Sequence, residues 1–110
     1  MTDRVERCLE YNAWFEQLSE QQRRIVESRI NRYRTLGLLI GIRPLARELG
    51  LYEFKWRSGL RVYFSIFVDA EGRVMLLLIG GNKNSQPKDI NLAKKIARRR
   101  IHEKNEGKVE

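Results

Sequence analysis

Two groups of side chains in this sequence are suited to holding an anion. Lys55, Arg57 and Arg61 fall within a stretch that alternates apolar and charged residues, and Lys83, Asn84, Gln86 and Lys88 gather in a glycine-led segment further along. Lysine, arginine and amide side chains donate hydrogen bonds, so their common chemistry is to bind phosphate oxygens and stabilise negative charge that develops on them. Nucleophilic and metal chemistry have little to work with. Cys8 is the only cysteine and His102 the only histidine, and no Cys-x-x-Cys spacing exists, so no zinc site, other metal or cofactor is expected.

Whether the first group forms one cluster depends on strand register. Tyr52, Phe54 and Trp56 alternate with Glu53, Lys55 and Arg57, the period of a half-buried strand. Over residues 60–69, Val62, Phe64, Ile66 and Val68 share one face, and Arg61, Tyr63, Ser65 and Phe67 the other. A two-residue turn at Ser58-Gly59 sets Arg57 opposite Leu60 and Lys55 opposite Val62, mixing charge with core. A three-residue loop, Ser58-Gly59-Leu60, pairs Trp56 with Val62 and Phe54 with Phe64, and on the other face Arg57 with Arg61 and Lys55 with Tyr63. The second register separates core from charge and is the one expected. It crowds three cations on one sheet face, a repulsion that a bound phosphate relieves unless the long side chains fan into solvent.

The second group lies in Gly80-Gly81-Asn82-Lys83-Asn84-Ser85-Gln86-Pro87-Lys88-Asp89. Its glycines permit positive φ and close approach of another chain segment. Ser85 or Gln86 can cap the helix that follows, Pro87 suits its first turn, and Asp89 complements the positive end of its dipole. By pattern alone the segment reads first as a helix start. A lysine, two asparagines and a glutamine placed where backbone N–H groups point outward also suit an anion.

Elements must position these residues. A chain of 110 residues, 42% apolar, is the size of one domain with one core, expected over residues 1–101, with 102–110 a flexible, solvated tail. The longest apolar run, residues 75–79, is too short to cross a bilayer and the N-terminus lacks a signal peptide, so a cytoplasmic protein is expected. The net charge of +8, from 22 basic and 14 acidic residues, favours partners rich in phosphate or carboxylate, although basic residues also serve solubility alone. A short strand is expected at residues 5–8. Two helices follow, in which Trp14, Phe15, Leu18, Ile25, Ile30 and Tyr33 recur at helical spacing. Their break falls at Ser19, an N-cap with Gln22 three residues on, and Gly37 ends the second. Residues 38–50, around Arg43-Pro44-Leu45, read as a connection. Strands follow at 52–57 and 60–69, a turn at 70–72, and a strand at 75–79 that lacks alternation and so is covered on both faces. The last helix begins at Pro87. It carries Ile90, Ala93, Ala97 and Ile101 on a core-facing stripe, with Lys94, Lys95, Arg98 and Arg99 on a basic surface that is either RNA footing or simply solvated.

The segments Leu51-Tyr52-Glu53-Phe54-Lys55, Arg61-Val62-Tyr63-Phe64 and Leu77-Leu78-Ile79-Gly80-Gly81-Asn82-Lys83-Asn84-Ser85-Gln86-Pro87-Lys88-Asp89-Ile90, with Arg43-Pro44-Leu45 before them, resemble the RelE/ParE toxin superfamily. In it they are most similar to the HigB-like "addiction module killer protein" branch. The resemblance covers nearly the whole chain and is specific by combination. It implies an α+β fold: an N-terminal helical hairpin packed on a twisted, mainly antiparallel sheet, with a C-terminal helix. It also implies the toxin of a type II toxin-antitoxin system, a metal-independent, ribosome-dependent mRNA endoribonuclease that uses the RNA 2′-hydroxyl as nucleophile. Its partners would be the ribosome with its mRNA and a cognate antitoxin, a helix-turn-helix DNA-binding protein. Carried over by position, Arg61 and Lys83 are the catalytic pair at the scissile phosphate. Lys55 and Arg57 bind flanking backbone, Gln86 orients the loop or a base, and Asn84 and Lys88 complete the RNA-binding set. Tyr63 either stacks on a base or fills a cross-strand pair. The chain departs from the family in having Asn82 where an aspartate is usual, and in lacking a tyrosine near the C-terminus. His102 is the only candidate general base there, and a histidine in a basic tail reads first as solvated. A ParE-like toxin that inhibits DNA gyrase by binding, and a non-toxic binding module of the same fold, are the alternatives.

Overall fold

The computed structural model describes residues 4–37 and 41–109. Strand β1 (Arg4–Arg7) leads into α1 (Leu9–Glu16) and α2 (Glu20–Leu36), then β2 (Ile42–Ala46), a short 3₁₀ turn, β3 (Leu51–Lys55), β4 (Leu60–Asp69), β5 (Gly72–Asn82) and α3 (Gln86–Val109). The five strands form one mixed sheet in the order β1-β5-β4-β3-β2, in which only β1 and β5 run parallel. This is the α+β architecture expected from the sequence, a helical hairpin against a mainly antiparallel sheet followed by a C-terminal helix. Among the described residues no helix is long and apolar enough to cross a membrane.

The helical hairpin breaks where the sequence placed the break. Ser19 Oγ accepts from the Gln22 backbone N–H at 3.1 Å, and Gln22 Oε1 accepts from the Ser19 N–H at 3.1 Å, a reciprocal cap that satisfies two donors with no helical partner. Gly37 closes α2 in the left-handed conformation. On the core side of the hairpin Val26 is fully buried, whereas Ile25, expected inward, faces out.

Both faces of the sheet are covered, which the alternation of β3 and β4 did not reveal. Tyr11, Val26, Ile30 and Tyr33 pack on Phe54, Val62, Phe64, Met75 and Leu77. On the opposite face Ala93, Ile96 and Ala97 of α3 pack on Leu51, Tyr63, Leu76 and Leu78. The stripe of α3 is therefore rotated from the expected one: Ile96 is in the core and Ile101 is exposed. The helix also continues through His102 to Val109, where a tail was expected.

Two further corrections concern the sheet. Of the connection expected over 38–50, residues 38–40 lie outside the described residues, and 42–46 form β2. Pro44 fits a strand here because β2 is the sheet edge, where a missing N–H removes no ladder bond. The β3–β4 register also differs from the expected one by two residues. Lys55 pairs with Arg61, Phe54 with Val62 and Glu53 with Tyr63. The cause is Gly59. Its φ of +102° lets the chain turn through Arg57-Ser58-Gly59, with the Gly59 N–H donating to Trp56 O and the Trp56 N–H to Leu60 O, each at 3.1 Å. A slip of two keeps every side chain on its face but moves Arg57 off the strand to the hairpin tip.

Candidate nucleic-acid interface

The β3–β4 hairpin tip and the β5–α3 loop meet at one end of the sheet. The Lys83 N–H donates to Gly59 O at 2.8 Å, and the Lys83 aliphatic stem crosses the Gly59 peptide, where a Cβ would sit 3.5 Å from Lys83 Cγ. Arg61 lies opposite Gly81 on one side and opposite Lys55 on the other. Lys55, Arg57 and Lys83 are exposed around this end, with Lys88 on the first turn of α3 and also exposed. None of these four, nor Arg61, forms an ion pair with a described residue. Other arginines around the sheet are paired, as Arg4 is with Glu6, Asp69 and Glu71, and Arg100 with Glu6 and Glu103. Four exposed cations without an ion pair thus stand together at this end, as others do elsewhere on the surface, Arg32 and Arg98 among them.

Arg61 is not the open sheet-face cation that alternation suggests. Its residue is 6% exposed, and its Nη1 donates to Leu60 O at 2.8 Å and Trp56 O at 3.1 Å, so the guanidinium is held beneath the hairpin tip. Its Nε is buried without an acceptor. Leaving such a donor unsatisfied costs about 1–3 kcal/mol.

Tyr63 is wholly buried, so neither face of its ring is open to a base, and the cross-strand reading is the one that holds. Burial, and then the nearby carboxylates of Glu53 and Asp89, push its phenol well above the usual tyrosine range. Its neighbour across the ladder, Glu53, is a residue of the site that alternation assigned to solvent. Glu53 is 1% exposed; its Oε2 accepts from Gln86 Nε2 at 2.6 Å, and Oε1 lies 3.4 Å from Arg43 Nη2. Gln86 therefore acts through the sheet, tying the start of α3 to β3, and is only half exposed. The available signal was a carboxylate sharing a strand face with Leu51, beneath a helix that had to cover one face of the sheet.

The β5–α3 loop satisfies its own backbone. Asn82 Oδ1 accepts from the N–H groups of Asn84 (2.8 Å) and Ser85 (3.2 Å), and the Asn82 N–H donates to Ser85 Oγ at 3.2 Å. Ser85 Oγ in turn donates to Asp89 Oδ2. The loop N–H groups expected to point at an anion are thus engaged internally or with Gly59, and what the loop offers outward is the side chains of Lys83, Asn84 and Lys88. An asparagine amide oxygen accepts these two bonds as an aspartate would, without adding negative charge beside Lys83. The two glycines serve close approach and not φ, since neither takes a positive value. A Cβ on Gly80 would enter the Trp14 indole, and one on Gly81 would stand 2.8 Å from Asp89 Cγ. His102 is remote: 16 residues beyond Gln86 on one helix places it about 24 Å along the axis.

A helical hairpin and a C-terminal helix on opposite faces of a five-stranded mixed sheet, with unpaired cations at the end where a hairpin tip meets the last loop, define a RelE-like toxin fold. The sequence matches no family model and no curated protein. Solved structures that share the fold include three of toxins, alone or with an antitoxin. A double arginine-to-alanine mutant of the E. coli toxin RelE in the free state superposes with a TM-score of 0.66 at 16% identity, covering 92% of this chain and 99% of that one. The YoeB/ParE toxin from Agrobacterium tumefaciens gives 0.53 at 14% identity over 72% of this chain and 97% of that one. The toxin-antitoxin complex RelBE2 from Mycobacterium tuberculosis gives 0.50 at 16% identity over 74% and 99%.

Proposed function

We propose that this chain is the toxin of a type II toxin-antitoxin pair in the RelE/ParE superfamily, of the HigB-like branch, and that it cleaves mRNA on the ribosome without a metal. The observation that carries this reading is the meeting of exposed Lys55 and Lys83 at one end of the sheet, Lys55 directly opposed to Arg61 across the ladder and Lys83 brought there through Gly59. Directly opposed like charges destabilise a strand pair by about 0.2–1 kcal/mol, so a phosphate between them is favoured by relief of repulsion as well as by attraction. In RNA cleavage the 2′-oxygen attacks the adjacent phosphorus, the P–O5′ bond breaks, and a 2′,3′-cyclic phosphate and a 5′-hydroxyl result. Arg61 and Lys83 would neutralise the phosphorane oxygens, and Lys55, Arg57, Asn84 and Lys88 would hold flanking backbone. Gln86 and Glu53 would keep the loop in register with β3. An antitoxin partner and a cytoplasmic location accompany this reading, the first supported by the likeness to a toxin-antitoxin complex.

One observation favours a second reading. Tyr63 and Glu53 are buried and His102 is distant, so among the described residues no exposed group that exchanges protons near neutral pH stands beside Lys83. A protein that poisons DNA gyrase by binding alone, as in the ParE-like alternative, needs none. Purified chain added to ribosomes programmed with a labelled mRNA separates the two. Cleavage at the vacant decoding site, leaving a cyclic phosphate and lost in Lys83→Ala, is expected; intact mRNA with inhibited supercoiling by gyrase overturns the nuclease reading.

A further inference from the structure

Glu53 serves two elements at once. Its Oε2 accepts from Gln86 Nε2 at 2.6 Å, at the first residue of α3, and its Oε1 faces Arg43 Nη2 at 3.4 Å on the edge strand β2. Oε1 accepts no hydrogen bond, so among the described residues the Arg43 guanidinium is the one cation within ion-pair distance of a side chain that is 1% exposed. A glutamine at this position would serve Gln86 equally well through its amide oxygen. What the acid adds is a hold on Arg43, because a carboxylate is costly to bury unless it is paired.

Arg43 is held on one side and open on the other. Its side chain is 57% exposed, and among the described residues it has no partner but Glu53, so its remaining N–H donors are left for a ligand. Directly paired residues of a ladder share a face, so Arg43 stands on the Glu53–Tyr63 side of the sheet, the side of Lys55 and Arg61. The Lys55 N–H donates to Gly41 O at 3.1 Å, which puts Arg43 one same-face step, about 6.6 Å, along the sheet from the Lys55–Arg61 pair. That is the scale of the step between neighbouring phosphates on an extended strand. Lys55, Arg57 and Lys83 have no such anchor, whereas Arg43 is ordered before a ligand arrives and loses less freedom on binding one. We propose that Arg43 is a further RNA-binding residue, taking the phosphate next to the one held by Lys55 and Lys83, and that Glu53 is the positioning residue that presents it. The inference rests on the reading of the hairpin-tip end as an RNA site and extends that site along β2. An ion pair with a purely structural role has no use for the outer donors of the guanidinium, and a lysine would make it equally well.

The test is anisotropy titration of a short labelled oligoribonucleotide with the full-length protein, with fold checked by circular dichroism. Arg43→Lys keeps the charge and the ion pair but loses the fork, and Arg43→Ala combined with Glu53→Gln removes the pair as a unit, stranding no buried charge and leaving the net charge unchanged. Each should raise Kd about tenfold, the effect of losing one charge-assisted hydrogen bond, with the thermal transition of Arg43→Lys unmoved. Glu53→Gln should weaken binding when Arg43 is present and add nothing to Arg43→Ala. Arg24→Lys, at an arginine that meets Glu20 at 3.4 Å on the other side of the sheet, should leave Kd unchanged. Native-like binding by Arg43→Lys and by the double variant, with Lys83→Ala weakened, overturns this inference and leaves the site standing; should the double variant fail to fold, Arg43→Lys decides alone. Binding untouched by Lys55→Ala and Lys83→Ala as well overturns the site and the inference with it.

Discussion

Replacing Gly81 by alanine tests how tightly the β5–α3 loop is locked to the sheet. A methyl group there would stand 2.8 Å from Asp89 Cγ and 3.0 Å from Ser85 Oγ, and closer still to Asp89 Oδ2, the oxygen that takes the Ser85 hydroxyl. The carboxylate must then swing away and give up a charge-assisted hydrogen bond of about 1.5–3 kcal/mol, or α3 must lift at a strain of about 1–3 kcal/mol. Either route costs about 2 kcal/mol, and at about 4–8 °C per kcal/mol for a domain near this size the Tm falls by roughly 10 °C. Asp89→Ala alone loses the same hydrogen bond but leaves room for the methyl. Gly81→Ala on top of Asp89→Ala should therefore cost almost nothing, a coupling of about 2 kcal/mol measurable by urea unfolding of the four proteins. Additive costs in that cycle would refute the close approach.

Binding of a short single-stranded oligoribonucleotide to the hairpin-tip end should weaken with salt. Three phosphate contacts by Lys55, Arg57 and Lys83 give a log–log slope of about −2, and each single alanine substitution should reduce it by about 0.7. Alkaline stability should depend on two phenols. Burial raises Tyr11 and Tyr63 above the ordinary value of 10.0, so the stability they contribute is present below pH 10 and is lost as pH rises beyond it, at about 1.4 kcal/mol per pH unit each. Tyr63→Phe and Tyr11→Phe should each flatten that fall in denaturation series above pH 10, at small cost near neutrality because neither hydroxyl has a hydrogen-bond partner. At acid pH the Arg99 guanidinium, 2.8 Å away, holds the Glu10 carboxyl below its usual value, so its contribution is present above about pH 4.5 and lost as pH falls through the depressed value. The pair is partly exposed, and Glu10→Gln should remove less than about 1 kcal/mol of that acid dependence.

What the sequence made legible followed from local rules with local signals. Ser19 and Gln22 marked a helix start because the cap that they form involves only neighbours in the chain. The face assignment of β4 survived a wrong register, because a slip of two residues preserves alternation. The hairpin loop was misplaced since either Leu60 or Arg57 completes a three-residue loop around Ser58-Gly59, and the choice rests on where Gly59 takes its positive φ. Pro44 concealed β2 because the rule against proline in strands fails at a sheet edge. The buried state of Tyr63 and Glu53 was not legible for one shared reason: alternation shows that two residues share a face, not whether a helix from the far end of the chain covers it. The site inherits that limit. Its exposed cations were found from residue type, and the carboxylate that ties Gln86 and Arg43 to β3 was not.

The most direct test of a ribosome-dependent nuclease is to induce the chain alone in a bacterial host and map the 5′ ends of cellular transcripts, with Arg61→Lys and Lys83→Ala induced in parallel. New 5′ ends confined to translated frames, abolished by Lys83→Ala and strongly reduced by Arg61→Lys, are the predicted result. Growth arrest with intact transcripts and a DNA-damage response would contradict it and move the target to gyrase.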